Sequence, residues 1–167
     1  TGAKLAAAQA AAHDFVGLLK MPTDQVAVIA FNQTARSLAP LTGDRATVDG
    51  AIDAIALAAG TRIDAGLTQA AAGLTGPTTR VEAQRVVVLL TDGRQDADPA
   101  AAMAAADAAR AAGLRIFTIG LGADVDLPFL TELAGATGHA YAAPSESDLA
   151  AIYAAVAEQV RRCERGW

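Results

Sequence analysis

Residues 86–93 read Val86-Val87-Val88-Leu89-Leu90-Thr91-Asp92-Gly93, a run of β-branched and aliphatic residues that ends in a carboxylate and a glycine. Such a continuous apolar run predicts a strand that is buried on both faces, at the centre of a sheet. In a doubly wound sheet, ligands bind beyond the carboxyl ends of the strands. We therefore expect Asp92 to lie in such a crevice, with Gly93 allowing a sharp turn after it.

Helical and strand patterns alternate on both sides of this segment. Apolar and β-branched runs predict strands at 25–31, 35–41, 85–91, 115–120 and 139–142. Apolar residues three and four apart, with helix start and stop signals, predict helices at 3–20, 44–57, 63–74, 99–112, 127–136 and 145–165. The cap of the second of these helices is expected to be Asp44 or Thr47. This order predicts one α/β domain with a Rossmann-like, doubly wound, mostly parallel sheet and helices on both faces.

Composition argues against several classes of function. The 167 residues carry a net charge of -5, which does not suit broad contact with nucleic acid phosphates. Polar residues interrupt the apolar runs, so no segment is predicted to span a membrane. There is no Gly-rich phosphate loop and no Ser-His-Asp or Cys-His set at plausible loop positions, which argues against an enzyme.

A second segment is expected to meet Asp92. Residues 59–67 read Ala59-Gly60-Thr61-Arg62-Ile63-Asp64-Ala65-Gly66-Leu67 and place Thr61 at the start of a helix, where its hydroxyl can point to the same crevice. A hydroxyl and a carboxylate facing one another suit a hard cation, Mg²⁺ first and Ca²⁺ or Mn²⁺ next. Asp96, just after the Asp92 loop, could add outer-shell charge. Simpler interpretations are a helix N-cap for Thr61, a turn for Asp92-Gly93 and a solvated loop for Asp96.

These two segments resemble the second and third loops of the metal-ion-dependent adhesion site (MIDAS) of a bacterial von Willebrand factor A domain. The resemblance covers nearly the whole chain, and we expect residues 1–167 to be a single such domain within a larger protein. The matching segments are 1–5 (TGAKL), 24–31 (DQVAVIAF), 40–42 (PLT) with Asp44, 60–61 (GT), 66–67 (GL), 90–93 (LTDG), 113–122 (GLRIFTIGLG) and 148–149 (DL).

The resemblance implies a protein- or peptide-binding module that works through a divalent cation, without covalent chemistry. Thr61 would bind Mg²⁺ or Mn²⁺ directly or through water, and Asp92 would act largely through hydrogen-bonded waters. A carboxylate from a partner protein would complete the coordination shell. The resemblance also favours an extracytoplasmic or cell-surface setting. The alternatives are a structural or assembly domain that has lost the metal site, or a subunit of a metal-chelatase or ATPase-linked complex.

The first loop of the family's site, Asp-x-Ser-x-Ser, is not found in residues 1–167. We expect it just before Thr1, and we expect weak or no cation binding without it. The strand that carries this loop lies at the centre of the family's sheet, between the strands predicted at 25–31 and 85–91. Buried backbone groups left unpaired there would cost about 1–3 kcal/mol each, so we do not expect residues 1–167 to fold as an ordinary monomer.

Three arrangements could supply the missing strand or close the sheet without it. Residues upstream of Thr1 could supply it, which is the arrangement we favour. Another chain could donate it, as in donor-strand complementation. The strands at 25–31 and 85–91 could also pair directly and close the sheet.

Overall fold

A computed structural model describes residues 2–77, 79–80, 82–93, 95, 98–123, 125–135, 139–145 and 147–163. The helices in these residues are α1 (Gly2–Gly17), α2 (Arg45–Asp53), α3 (Ile63–Leu74), α4 (Pro99–Ala111), α5 (Leu127–Ala134) and α6 (Asp148–Cys163). The strands are β1 (Val26–Phe31), β2 (Ala35–Thr42), β3 (Val86–Thr91), β4 (Arg115–Leu121) and β5 (Ala140–Ala143). The expected α/β order is confirmed.

The strands form two separate sheets in the described part of the chain. β1 and β2 pair antiparallel, and β3, β4 and β5 pair in parallel in that order. Direct pairing of the strands predicted at 25–31 and 85–91 is therefore wrong. The prediction that β3 is central is also wrong for the described residues, because no strand lies between β3 and β1.

β1 and β3 point in the same direction on opposite sides of a gap, which we call the central slot. Before the two strands, Arg80 Nη1 donates a hydrogen bond to the Thr23 carbonyl at 2.6 Å. After them, Arg62 N donates to the Asn32 carbonyl at 2.8 Å, and its neighbour Thr61 lies against the turn that follows β3. The amino ends of the strands are thus together, and so are the carboxyl ends.

α1 and α3 cover the central slot from opposite faces and hold the two sheets together. α3 packs against β1, β2 and β3, while α1 packs against α2 on one side and α6 on the other. Phe15 of α1 touches apolar clusters on both sides of the slot, and its ring centroid lies 5.6 Å from that of Tyr153. The prediction of helices on both faces is confirmed.

The core consists of three apolar clusters around the sheets. One lies between β3, β4 and the helices α3, α4 and α5, and includes Leu67, Val87, Ile116 and Leu133. The second lies between α1, α6 and the other face of β4 and β5. The third joins β1 and β2 to α1 and α2. Alanines let the helices pack closely; Ala102, Ala106 and Ala109 of α4 are fully buried.

Tertiary contacts end α2 earlier than its sequence predicts. The helix starts where expected, with Asp44 accepting hydrogen bonds from two backbone N–H groups of the first turn. It ends at Asp53 rather than near Leu57. The side-chain amide of Gln9 in α1 donates to the carbonyls of Ile52, Asp53 and Ile55 at 3.0–3.2 Å. These carbonyls at the helix end therefore need no further helical turn.

Candidate metal centre

The carboxyl ends of β1 and β3 bring the two predicted site loops together. A Cβ atom added to Gly93 would lie 3.1 Å from Thr61 Oγ1, so any side chain at residue 93 would press against this hydroxyl. The backbone of Gly93 does not have a positive φ. The absence of a side chain at Gly93 permits the close approach of the two loops at the bend that follows β3. Thr61 and the Asp92-Gly93 turn share one crevice.

Thr61 does not act as the cap of α3. The helix begins at Ile63, and its N-cap residue is Arg62, whose side chain makes no capping hydrogen bond. The simpler interpretation of Thr61 as an N-cap is therefore wrong. The bond from Arg62 N to the Asn32 carbonyl instead fixes this segment between the ends of β1 and β3.

Gln95 ties the loop after β3 to the start of α3. Its Oε1 accepts a hydrogen bond from Ile63 N at 2.6 Å, and its Nε2 donates to Asp64 Oδ1 at 2.8 Å. Asp64 also accepts two hydrogen bonds from Arg62, at 2.9 and 2.6 Å. The Arg62 contact first, and Gln95 next, hold the pKa of Asp64 well below its ordinary value. No local pattern distinguishes Gln95, so the sequence analysis does not predict this role.

Lys4, in the first turn of α1, lies beside Asp92. Its Nζ is 3.7 Å from Asp92 Oδ2, and the Asp92 side chain is 56% exposed. A Cβ atom on Gly122, whose φ is 109°, would lie 3.2 Å from the same nitrogen. The ammonium group therefore stands between the ends of β3 and β4. Lys4 is not among the predicted site residues, because its proximity to Asp92 depends on the packing of α1.

The ligand atoms of this crevice are of the type that a hard cation prefers, but they are fewer than its coordination shell needs. A threonine hydroxyl and a carboxylate are oxygen ligands, and Mg²⁺ takes six of these in octahedral geometry. Within the described ranges, no group of three or more His, Cys, Asp or Glu side chains is placed to hold a metal ion. Asp96 lies outside the described residues. Thr61 and Asp92 could hold part of a coordination shell, and the remaining ligands would come from water or another segment.

The two histidines lie away from the crevice. His13 Nδ1 is 2.9 Å from Asp49 Oδ1, and its Nε2 is 2.9 Å from Asp53 Oδ1. These hydrogen bonds, that of Asp53 more than that of Asp49, raise the pKa of His13. His139 Nε2 lies 3.3 Å from Arg115 Nη2. Burial, and then the charge of Arg115, lower the pKa of His139.

Comparisons with solved structures show the same fold in proteins of varied origin. Proximal thread matrix protein 1 from the mussel byssus is 25% identical, with a TM-score of 0.80 over 94% of this chain and 41% of that chain. A further structure of the mussel protein, with a zinc-occupied MIDAS motif, is 26% identical and has a TM-score of 0.79 over 92% and 39%. BatB from Bacteroides thetaiotaomicron is 18% identical, with a TM-score of 0.81 over 97% and 89%.

The present chain thus spans about two fifths of the mussel protein. None of the curated proteins compared with it matches. Of the helices that the structure describes, none has the length and apolar character needed to cross a membrane. The family model of the von Willebrand factor type A domain matches residues 1–155. The chain therefore belongs to the von Willebrand factor type A domain family.

Proposed function

We propose that this chain is a binding module, not an enzyme, and that it recognises a protein or peptide through a divalent cation. Mg²⁺ is the first choice, with Mn²⁺ or Ca²⁺ next. The observation that supports this most is the approach of the Thr61 hydroxyl to the Asp92-Gly93 turn at the carboxyl end of β3. Ligands of doubly wound sheets bind at this end. The zinc in the MIDAS motif of the mussel relative supports cation chemistry in a related domain.

In this proposal each of the two residues has a distinct role. Thr61 offers its hydroxyl directly or through a water molecule, and Asp92 holds the cation largely through hydrogen-bonded waters. The cation supplies positive charge that attracts a carboxylate of the partner protein. Further oxygen ligands come from a segment that joins the crevice. The family resemblance favours an extracytoplasmic or cell-surface setting for this recognition.

One observation favours a second candidate, a structural or assembly domain that has lost its metal site. The ammonium group of Lys4 already lies 3.7 Å from the Asp92 carboxylate. In such a domain this ion pair would replace the cation and leave Asp92 with a purely structural role. The two candidates differ in whether the protein responds to divalent cations.

Thermal melting of the 167-residue chain in EDTA and in millimolar Mn²⁺ or Mg²⁺ separates the two candidates. A ligand that binds the folded state raises its melting temperature, and for weak binding we expect a rise of about 2–4 °C. Asp92→Ala should abolish the rise, and Thr61→Ala should reduce it by less, because water can replace one hydroxyl. Asp107→Ala is the matched control, since Asp107 is an exposed carboxylate on α4.

A melting temperature that is the same in EDTA and in metal would contradict the cation proposal and favour the structural candidate. An equal rise in wild type and Asp92→Ala would contradict the assignment of Asp92. Direct titration with Mn²⁺, followed by its electron paramagnetic resonance signal, checks binding without relying on stability.

A further inference from the structure

His13 of α1 lies between two carboxylates of α2. Its Nδ1 is 2.9 Å from Asp49 Oδ1, and its Nε2 is 2.9 Å from Asp53 Oδ1. A neutral imidazole carries one N–H and an ionised carboxylate only accepts, so a neutral His13 could donate to one of the aspartates but not to both. The imidazolium form donates to both at once. The positions of the two carboxylates therefore favour the protonated form of His13.

The positive charge of the imidazolium offsets an unfavourable arrangement of charges in α2. Asp49 and Asp53 are one turn apart on this helix, where like charges repel each other. Asp53 is also the last residue of the helix, and the helix dipole disfavours a negative charge at that end. Arg45 pairs with Asp49 at 2.8 Å, whereas the ion-pair partner of Asp53 among the described residues is His13. Loss of the proton from His13 therefore leaves the charge of Asp53 without this partner.

The other ionisable groups around His13 keep their charge near neutral pH. Within the described residues, α2 supplies the charged groups that bond to His13, which are Asp49 and Asp53 through the ring and Arg45 through the His13 carbonyl. On α1 itself, the neighbouring Asp14 is exposed to solvent. On the other side of α1, α6 contributes Tyr153, and burial raises the pKa of this phenol to about 12. A change of charge between α1 and α2 near neutral pH therefore comes from His13.

Gln9, one turn before His13 on α1, holds the same end of α2. Its side-chain amide donates at 3.0–3.2 Å to three carbonyls, those of Ile52, Asp53 and Ile55. The last of these carbonyls belongs to the loop that leads from α2 to Thr61. Residues 56–59 of this loop are exposed, so packing holds them little. His13 and Gln9 together therefore anchor the start of the loop to α1.

We propose that His13 is a proton-dependent latch, which in its imidazolium form holds α1 against the end of α2 and the loop that leads to Thr61. Asp53 first and Asp49 next raise the pKa of His13, so the latch is closed at acidic pH and opens as pH rises through the raised value. Opening removes a hydrogen bond between the two helices and restores the repulsion between the aspartates. Because the loop carries Thr61, the latch also regulates the cation site, and this part of the inference rests on the proposed function. The latch itself needs no cation.

A nitrogen-15 NMR titration of the His13 ring, done in EDTA on the 167-residue chain, tests the latch directly. The midpoint should lie above 6.5, the ordinary value of a histidine. Asp53→Asn and Asp49→Asn should each lower the midpoint, because each removes a negative charge beside the ring. Asp107→Asn is the matched control, since Asp107 is an exposed carboxylate on α4, and it should leave the midpoint unchanged.

Hydrogen exchange at the end of α2, also in EDTA, tests whether the latch holds the loop. The amides of Ala54 and Ile55 donate to carbonyls in the last turn of α2, and protection factors correct their exchange rates for the intrinsic effect of pH. From pH 6 to a pH well above the midpoint, their protection should fall by about two- to fivefold in wild type, because the contacts that open are partly exposed. In His13→Gln, which stays neutral, protection should not change with pH. The amide of Ala112, at the end of α4, is the internal control.

Titration with Mn²⁺ at the same two pH values tests the link to the cation site. In wild type, the dissociation constant for Mn²⁺ should rise by about two- to fivefold as the latch opens. In His13→Gln it should be the same at both pH values. His13 lies outside the proposed site, so a difference between the two proteins reports coupling through the loop.

Each measurement has a result that would overturn its part of the inference. For the latch, this is a midpoint of 6.5 or lower, or one that neither aspartate variant changes. For the loop, it is equal pH dependence of Ala54 and Ile55 in wild type and in His13→Gln. Wild-type Mn²⁺ affinity that does not change with pH would overturn the regulation of the cation site. If Mn²⁺ binds at neither pH while the ring and the amides respond as expected, the cation function and its regulation are contradicted, and the latch remains.

Discussion

The ammonium group of Lys4 and a divalent cation would compete for the same carboxylate. Lys4 Nζ lies 3.7 Å from Asp92 Oδ2, and both groups remain partly exposed, so their attraction is screened by water. A divalent ion at Asp92 would be repelled by this nearby positive charge. Two charges a few ångströms apart near a protein surface interact by a few kcal/mol at most. Lys4 would therefore lower the affinity of the proposed site for cations.

Replacing this lysine should strengthen cation binding. Lys4→Met keeps an unbranched apolar stem and removes the charge, and we expect the dissociation constant for Mn²⁺ to fall by about fivefold, or ~1 kcal/mol. Isothermal titration calorimetry measures the change. Lys20→Met, in the loop that follows α1, is the matched control. Equal affinities in the two variants would contradict a direct effect of Lys4 on the crevice.

His13 should make stability depend on pH. Its two ring nitrogens face Asp49 and Asp53 of α2, and Arg45 pairs with Asp49 at 2.8 Å. The two aspartates raise the pKa of His13 above 6.5. The contribution of His13 to the free energy of unfolding is therefore fully present below pH 6.5 and is lost as pH rises through the raised pKa. For a partly exposed pair we expect about 0.5–1 kcal/mol, measured as the difference between wild type and His13→Gln in urea unfolding at pH 6 and pH 8.

His139 provides a control, because it should change stability with pH in the direction opposite to His13. Burial lowers its pKa, so its contribution is present above pH 6.5 and is lost as pH falls through the lowered value. His139→Gln should therefore leave the loss of stability between pH 6 and pH 8 in place, whereas His13→Gln should remove it. The same pH dependence in His13→Gln and in wild type would show that other groups cause it.

At the scale of elements, the packing of α3 on β1 depends on one glycine. A Cβ atom on Gly66 would lie 3.0 Å from Phe31 Cγ, so a larger residue would push the helix away from the strand. We expect Gly66→Ala to lower the free energy of unfolding by about 1–3 kcal/mol. Gly73→Ala in the same helix meets no atom within 4 Å and should raise it by up to about 1 kcal/mol. Urea unfolding of both variants measures the difference; stabilisation by Gly66→Ala would contradict this packing role.

All the helices and strands predicted from the sequence are found, because periodicity and breaker residues are local properties. The early end of α2 was not predicted, since it depends on Gln9 from another helix. The gap beside β3 was predicted, because the family's central strand is not found in residues 1–167, whereas the apolar pattern of β3 by itself favoured a central position. In the candidate site, family motifs predicted that Thr61 and Asp92 would meet. Lys4 and Gln95 were missed, because only the folded chain brings them there.

At the scale of the whole molecule, the described residues form two sheets that helices and loop contacts join across the central slot. Successive amides of a strand point to opposite edges, so the amides of β3 should fall into two classes. Those directed at β4 should exchange slowly with solvent, and those directed at the slot should exchange faster by roughly two orders of magnitude. Hydrogen exchange followed by nuclear magnetic resonance measures both classes. Uniform protection of β3 would contradict an unpaired edge on the side of the central slot.

The exposed edge of β3 also has a consequence for solubility. Val86 to Leu90 are five consecutive apolar residues without a charge or a proline, and one edge of this strand has no partner strand in the described structure. Uncharged segments with high β-propensity, when exposed at a sheet edge, promote aggregation. Filling the slot would then protect the protein from precipitation, and the soluble yield of the chain would depend on how much of it carries a strand in that position.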